Sequence, residues 1–514
     1  MKKINSKILA LLSSPLKVNM LAMIVFCAAG LTLVFHHEMW RDEMHAWLIA
    51  RESTSIFNLY DILKYDGHPG LWHLILMPLT YFSQAGVAMQ LVHLLIAACA
   101  AGVFLVNAPF TQSQKILFIF GYFPFFEYSI IARNYALGLL LLFIFCTLYT
   151  KPKKNYGLIG ITIALLANTS ILATIVALCL LAVLFLDCIL NNKESVKGKL
   201  LSQLSSLGIA AIGTLFAVVQ MIPPPDTNIA TAWNFKYSFG QVKTVMTNAA
   251  NGYFPLPIPS SQFWGTNLFF SYPATTLLTV LFLIFFIYQT IRLLTQSRSA
   301  LALYALGTLG LLSFFYTKYL GYTRHHGFVY IVLIASLWIA IKQSPQKALL
   351  ENFSFVKKLS YSSILTVILC IHVAGSMVAF AVEYQKPFSN AYAASEFIRA
   401  HHLESREMVG FHDFNATPIA GYLNKPFIYF PESNAYGNYV RWDLKRKQIS
   451  QRMALESAIH LQIKIGSPIL IIMSSSIDDL LLKEFSLEEV AQFTDAIVPD
   501  ENIYLYQSKG SPRE

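Results

Sequence analysis

Long apolar runs decide what this chain can fold into. A stretch of about 18 or more apolar residues is long enough to cross a bilayer as a helix. The 514-residue sequence holds eleven, near 18–35, 85–106, 114–130, 133–150, 155–170, 171–190, 202–222, 272–292, 300–317, 326–343 and 360–382. The run at 114–130 is broken by Pro124 and Glu127, and Asn168-Thr169-Ser170 leaves only a tight turn between two others. With 55% hydrophobic and 13% charged residues, too little polar surface remains for a set of soluble domains. The expected class is a polytopic α-helical membrane protein. Its net charge of +10 is not read as a nucleic-acid footprint, because the charges interrupt runs of membrane-spanning length. Cys27, Cys99, Cys146 and Cys370 fall inside apolar runs, and Cys179 and Cys188 lie along another, so neither a disulfide framework nor a Cys zinc site is implied.

The basic residues report orientation. If the N-terminus is cytoplasmic, one set of loops holds Lys2, Lys3, Lys7, Lys17, Lys115, Lys151, Lys153, Lys154, Lys193, Lys197 and Lys199, then Arg292, Arg298, Lys342, Lys347, Lys357 and Lys358. The opposite loops hold only Arg41, Arg51, Lys64, Arg133, Lys236, Lys243, Lys318 and Arg324. This follows the positive-inside rule, and an odd span count puts the C-terminus outside. The first run has the basic start of a signal peptide, with small residues at Ala28-Ala29-Gly30, but removing it would break the charge alternation, so an uncleaved span is expected.

Three outer pieces stand apart: the polar loop 36–84, the Gly-, Pro- and Asn-rich loop 223–271, and the tail from about 383 to 514. In the tail, helix-like stretches (Ala391–His402, Lys445–Ile465, Ile477–Leu482) alternate with strand-like ones (Met408–Phe411, Phe427–Phe430, Ile469–Met473, Ile503–Tyr506), which predicts a small α/β domain.

The chemistry concentrates in the first outer loop. Met39-Trp40-Arg41-Asp42-Glu43-Met44-His45-Ala46-Trp47 sets two carboxylates between tryptophans directly after a span. Interfacial Trp usually anchors, while acids sit better farther into water. The plainer alternative is a solvated helix start with Asp42 as its N-terminal charge. Asp42 and Glu43 are the catalytic candidates. On a helix their side chains diverge by about 100°, so Glu43 is expected to orient the loop or a metal rather than share the reaction. Asp61, Lys64, Asp66, Gly67 and His68 then precede the apolar stretch Leu71–Leu76, which is expected to lie at or dip into the interface. Arg133, at the mouth of a span, could snorkel, but its outer placement runs against the positive-inside bias and favours a phosphate or acceptor role. Glu127 is a functional candidate as an intramembrane carboxylate. Lys318, Tyr319, Tyr322, Arg324, His325 and His326 form a basic-aromatic turn in which Arg324 suits bidentate phosphate binding, unless the turn is merely a solvated loop.

In their order and placement these features resemble the GT-C class of integral-membrane glycosyltransferases. More narrowly they are similar to glycosyltransferase family 39 and the dolichyl-phosphate-mannose protein mannosyltransferase-like superfamily, with its bacterial lipid A aminoarabinose transferases and Rgt-type lipopolysaccharide core transferases. The resemblance covers the whole plan and is strongest in 39–76 and 129–138. It implies a transmembrane domain over 1–382 with a catalytic loop at 36–84, and a periplasmic α/β domain over 383–514. It also implies that Asp42 is the general base for attack by an acceptor hydroxyl on a polyprenyl-phosphate sugar. The donor phosphate is already a good leaving group, so a base on the acceptor side and positive charge on the phosphate side suffice.

His68-Pro69 matches the loop-closing motif of the family, often His-Pro-Pro, with Gly70 as a departure; His68 is expected either near the lipid phosphate or a divalent metal or as a helix-entry histidine capped by local backbone, with Asp66 a weaker candidate beside it. Arg133-Asn134-Tyr135-Ala136-Leu137 resembles the Arg-x-Tyr-x-Leu signature of the Rgt-like branch, which brings in Tyr135. Relatives with an aspartate near the fourth span have no counterpart here, and Glu127 is the stand-in candidate. Arg324, Lys318 and His325 are expected to complete the phosphate site, with Trp233 and Lys236 as weaker cleft-lining candidates.

The cofactor is left open, a divalent metal included, because His36-His37-Glu38 and His325-His326 supply ligand types without helical zinc spacing. The tail segments Phe411–Phe414 and Tyr439–Asp443 are candidate acceptor contacts, although aromatic core residues of an α/β fold are the preferred reading. The expected partners are a lipid-linked donor, membrane lipids and a glycan, lipid or protein acceptor, in a bacterial inner membrane. The rival classes are a lipid-linked-sugar flippase or transporter, which would place ionisable residues mid-membrane, and a non-catalytic envelope assembly protein.

Overall fold

A computed structural model describes residues 14–84, 86–190, 197–229, 232–344, 352–353 and 356–508. Lys2, Lys3, Lys7, Lys193 and Lys347, counted above in the charge asymmetry, lie outside the described residues. The first described element is α1 (Pro15–Val34), followed by the short helices α2 (Arg41–Glu52), α3 (Ile56–Leu63) and α4 (Leu71–Thr80) before α5 (Val87–Asn107). After α6 (Gln112–Ile119) and a π-helical turn at Tyr122–Glu127 come α7 (Tyr135–Tyr149), α8 (Tyr156–Ala167), α9 (Ile171–Leu190), α10 (Lys197–Gln220) and α11 (Phe239–Tyr253). The helices α12 (Pro273–Leu294), α13 (Arg298–Thr317) and α14 (Thr323–Gln343) follow, then a hairpin of β1 (Asn352–Phe353) and β2 (Val356–Ser360), and finally α15 (Tyr361–Glu383).

Among the described residues eight helices, α1, α5, α9, α10 and α12 to α15, are long and apolar enough to cross a membrane. The other three expected spans are shorter. Over 114–130 the α-helix stops at Ile119 and is replaced by the π-turn. Pro124 has no N–H to donate, so an α ladder cannot run through it. The runs at 133–150 and 155–170 form helices of 15 and 12 residues, short of the about 20 that a span needs. The second ends where Asn168 donates its side-chain amide to the Ala164 and Gly213 carbonyls.

Small residues let these helices approach closely, which drives packing where there is no hydrophobic gain from leaving lipid. Gly160 of α8 faces the Ser206 backbone of α10, and Gly213 of α10 faces Ala164 of α8. Helix α14 is the most enclosed of the long helices, with 89% of its apolar window buried, so the side chains of its first turn are carried on a rigid element. Gly375 of α15 lies against the Pro255 carbonyl, and a Cβ there would overlap a backbone oxygen that has no rotamer to escape into. Gly375→Ala is therefore expected to destabilise the protein by about 1–3 kcal/mol, read as a lower melting temperature in nanodiscs; an unchanged melt would show that the 254–258 segment yields freely.

The tail is a six-stranded mixed sheet flanked by helices. It comprises α16 (Ala391–Ala400), β3 (Glu407–Phe411), α17 (Asp413–Tyr422), β4 (Ile428–Phe430), β5 (Ala435–Gly437), α18 (Gln451–Ile465), β6 (Ile469–Met473), α19 (Asp479–Glu484), β7 (Leu487–Phe493) and β8 (Ile503–Ser508). The strand order is β5-β4-β3-β6-β8-β7, with β4, β3 and β6 parallel and the others antiparallel. Every residue of β6 is buried, as for a central strand covered on both faces. Met408, Leu470 and Leu505 pack to one side, and Val409, Ile471 and Leu455 to the other. Helix α17 was not foreseen: its Asn415, Pro418 and Gly421 give it poor helix propensity, and it is held by burial instead.

The tail sits on the first loop. The Tyr422 hydroxyl accepts from the Met39 amide at 2.6 Å, the Glu38 carboxylate accepts from the Phe388 amide at 3.0 Å, and Arg51 and Glu52 bond Asn424 and Asn438. Gly421 allows this closeness, since a Cβ there would overlap the Met44 side chain.

Candidate active site

Helix α2 begins at Arg41, so Asp42 and Glu43 occupy its first turn, where carboxylates are favoured by the exposed N–H groups. Their side chains part as the helical turn requires. Asp42 lines a cavity of about 330 Å³ together with Arg41, His45, Asp66, His68 and Arg133 on the first-loop side, and Phe414, Thr417, Val440, Trp442 and Asp500 on the tail side. Glu43 points the other way and is fully buried.

Two guanidinium groups flank Asp42. Arg324 Nη2 lies 3.4 Å from its Oδ2, and Arg133 Nη2 lies 3.9 Å from the same oxygen, while Arg133 Nη1 donates to the Asp42 carbonyl at 2.5 Å. Burial alone would raise the Asp42 carboxyl, but Arg133, Arg324, Arg41 and His45 outweigh it and hold the group below its ordinary value. Arg324 is carried by the enclosed α14 and stands among the rings of Trp40, Trp264 and Tyr322, 5.0, 4.9 and 5.0 Å from its guanidinium carbon. Such faces hold a cation without neutralising it. Beyond Arg324, Glu127 is buried and accepts from Tyr122 and Trp264 through one oxygen at 2.9 and 2.8 Å, while its other oxygen is buried with no partner.

Glu43 is a structural hub. One oxygen accepts from the Ala132 amide at 2.5 Å, fixing the loop that bears Arg133, and the other contacts His37 Nε2 at 2.8 Å. His37 Nδ1 meets Glu383, the last residue of α15, at 2.6 Å. Burial would lower the His37 imidazole, but Glu43 and Glu383 overcome this and hold it well above its ordinary value. The buried chain Glu383–His37–Glu43–Ala132 thus ties the end of α15 and the loops bearing His37 and Ala132 to the start of α2. His37 serves here as a bridge between carboxylates, not as part of a His-His-Glu ligand set.

The other candidates divide by position. Asp66 faces His45 Nε2 at 3.2 Å; burial would raise it, but the hydrogen bond to His45 and the nearby His68 hold it low. His68 lines the cavity with its Nδ1 buried and unpartnered, and burial pulls its imidazole down against the opposing pull of Asp66. Gly70, the departure from His-Pro-Pro, is where the Tyr60 ring packs: a Cβ would lie 2.7 Å from it. Tyr135 is buried, with His325 edge-on at 6.0 Å and Tyr128 at 5.3 Å. His325 Nδ1 accepts from the Tyr322 amide at 2.9 Å and its ring meets Tyr319 at 5.2 Å, so both residues support the Arg324 turn from outside the cavity lining. Lys318 lies over Trp233 at 5.6 Å and near the Ala232 carbonyl, apart from the cavity. Trp233 is exposed, and the Lys236 carbonyl accepts from the Tyr316 hydroxyl.

Several lining residues escaped the sequence reading. His45 stands one helical turn after Asp42, a spacing that puts both on one face. Arg41 holds Asp500 at 2.7 Å, Glu501 at 3.3 Å and Asn415 at 3.0 Å, so the tail is clamped at the cavity mouth. Outside the lining, Trp264, which helps box Arg324, carries no signal in the sequence beyond its residue type. Among the described residues no group of three or more His, Cys, Asp or Glu side chains is placed to hold a metal ion. Comparison with known proteins returns no matching family model and no matching curated protein.

Proposed function

We propose that this chain is an integral-membrane glycosyltransferase that moves a sugar from a polyprenyl-phosphate donor to a cell-envelope acceptor at the outer face of a bacterial inner membrane, with the N-terminus cytoplasmic and the tail periplasmic. One observation carries the reading: a carboxylate, Asp42, faces a cavity between two arginines delivered by separate segments. That is the charge arrangement that displacement of a phosphate from an anomeric carbon requires.

The acceptor hydroxyl oxygen attacks the anomeric carbon, the bond from that carbon to the phosphate oxygen breaks with its electron pair going to the phosphate, and the hydroxyl proton passes to Asp42. Arg133 and Arg324 neutralise the departing phosphate, and His68 offers a further contact to it. While both arginines face Asp42 the carboxylate is a weak base. A phosphate that draws them away leaves Asp42 more basic at the moment it is needed.

A deletion strain tests the pathway assignment by mass analysis of lipid-linked sugars and surface glycans: one polyprenyl-phosphate sugar should accumulate while one residue disappears from a glycan. Purified protein then separates transfer from flipping, since a transferase releases free polyprenyl phosphate only when acceptor is present and a flippase releases none. Arg324→Ala should raise the KM for the donor by about 10- to 100-fold, the worth of a charged hydrogen bond, and leave the acceptor KM near that of the parent. Unchanged donor KM would remove Arg324 from the phosphate site.

A further inference from the structure

The tail sheet contains a topological switch point. From β3 the chain crosses through α17 to β4 on one side, then returns through α18 to β6 on the other side of β3. In open α/β sheets, ligands are held at the carboxyl ends of the strands where the connections diverge in this way. Here those ends carry His412, Asp413 and Phe414 after β3, Glu432 after β4 and Ser474 after β6. His412 Nδ1 and the Ser474 hydroxyl meet across the switch point at 2.7 Å.

The crevice opens toward the cavity that holds Asp42, because Phe414, Thr417, Val440 and Trp442 line it from the tail and Asp500 stands at its rim. The wall is prebuilt. Asp413 accepts from Arg446 at 2.7 and 2.8 Å, and that guanidinium lies 4.4 Å over the Trp442 ring. The Trp442 carbonyl accepts from the Asn228 amide at 2.8 Å and from the Thr227 hydroxyl at 3.1 Å, pinning its loop to Thr227-Asn228. Glu432 is buried against this cluster with one carboxylate oxygen unpartnered.

We infer that this carboxyl edge of the tail sheet is the acceptor-binding wall of the cavity, and that it takes a polyhydroxylated sugar unit whose C–H face rests on Trp442 and Phe414 while its hydroxyls reach the Asp500 carboxylate, which stands exposed beside Arg41. The inference rests on the transferase reading for its chemistry. Two aromatic rings beside an exposed carboxylate match a ring that is apolar on its face and hydrogen-bonding around its rim. An extended peptide fits less well. Strand addition needs a free sheet edge, and the outer strands β5 and β7 are not what lines the cavity. A volume of about 330 Å³ lies at the low end for small-ligand pockets, suited to one or two sugar rings.

Saturation-transfer NMR on the full chain in nanodiscs tests this with methyl glycosides of glucose, galactose, mannose and N-acetylglucosamine, and with a Ser-containing tripeptide. At least one glycoside should take up saturation at its ring C–H protons. Trp442→Ala and, separately, Phe414→Ala should weaken that binding by about 2- to 10-fold, as loss of an aromatic contact does, whereas Trp442→Phe retains most of it; the melting temperature checks each variant's fold. Saturation of no glycoside, binding by both alanine variants as strong as the parent's, or saturation of the tripeptide alone would overturn the inference. Glycoside binding that depends on Trp442 in a protein that turns over no lipid-linked sugar would uphold the wall and remove the transferase reading. Transfer without glycoside binding would remove the wall alone.

Discussion

Asp42→Asn should cut the transfer rate by about 10²- to 10⁴-fold, the usual worth of a positioned general base, while the protein is made and folds as before. Asparagine keeps the size of the side chain and an oxygen that accepts from Arg324, but has no useful affinity for a proton. The fold should survive because the contacts of Asp42 to Arg324 and Arg133 are long, 3.4 and 3.9 Å, and its side chain is 31% exposed. By contrast the neighbouring Glu43 is enclosed and bonded through both oxygens, so Glu43→Ala tests architecture and Asp42→Asn tests chemistry. The arginines hold Asp42 below the ordinary carboxylate range. The free enzyme should therefore show no loss of kcat/KM from this group as pH falls from about 8 to 5, and any decline there has another source. A residual rate in Asp42→Asn within about tenfold of the parent would place the base elsewhere, with Asp66 the next carboxylate in the cavity.

The second large effect concerns stability. His37 lies between Glu43 and Glu383 with all three side chains sealed from solvent. Removing the imidazole leaves two buried carboxylates facing one another, and breaking such an arrangement costs about 3–5 kcal/mol. His37→Gln should thus melt well below the parent, and the difference should depend on pH in a definite direction. Because the folded pKa of His37 is raised, its contribution is complete below about pH 6.5, the ordinary histidine value, and is lost as pH rises through the folded value. The parent should lose its advantage over His37→Gln on the alkaline side. A gap that stays constant from acid to alkaline pH would show that His37 acts through packing alone. The same variant should lower turnover, because Glu43 also fixes the Ala132 amide beside Arg133.

The membrane-spanning character and much of the first loop were legible because they are local. Apolar run length reports eight of the long helices directly. The divergence of Asp42 and Glu43 follows from one residue of helical rotation, and Arg133 stands out in the sequence as one of few basic residues on its expected side of the charge asymmetry. The run at 114–130 misled because its composition is apolar while Pro124 forbids a continuous ladder, a backbone effect that hydropathy does not register.

Long-range pairing was the harder part. Arg324 reaches Asp42 across 282 positions, and its ring box draws on Trp40 and Trp264 from two different loops. His37 had the residue type of a metal ligand, and nothing in its neighbourhood announced a carboxylate 346 positions away. The aromatic residues of the tail segments suit an α/β core by composition, yet Phe414 and Trp442 line the cavity, because one sits in the first turn of α17 and the other in the loop after β5.

The most direct test is complementation of a deletion strain with the parent or with Asp42→Asn at equal membrane protein level, followed by mass analysis of surface glycan and lipid-linked sugar. The parent should restore the missing glycan residue and clear the accumulated polyprenyl-phosphate sugar, while Asp42→Asn should do neither. Restoration of the glycan by Asp42→Asn would contradict the assignment of Asp42 as the base.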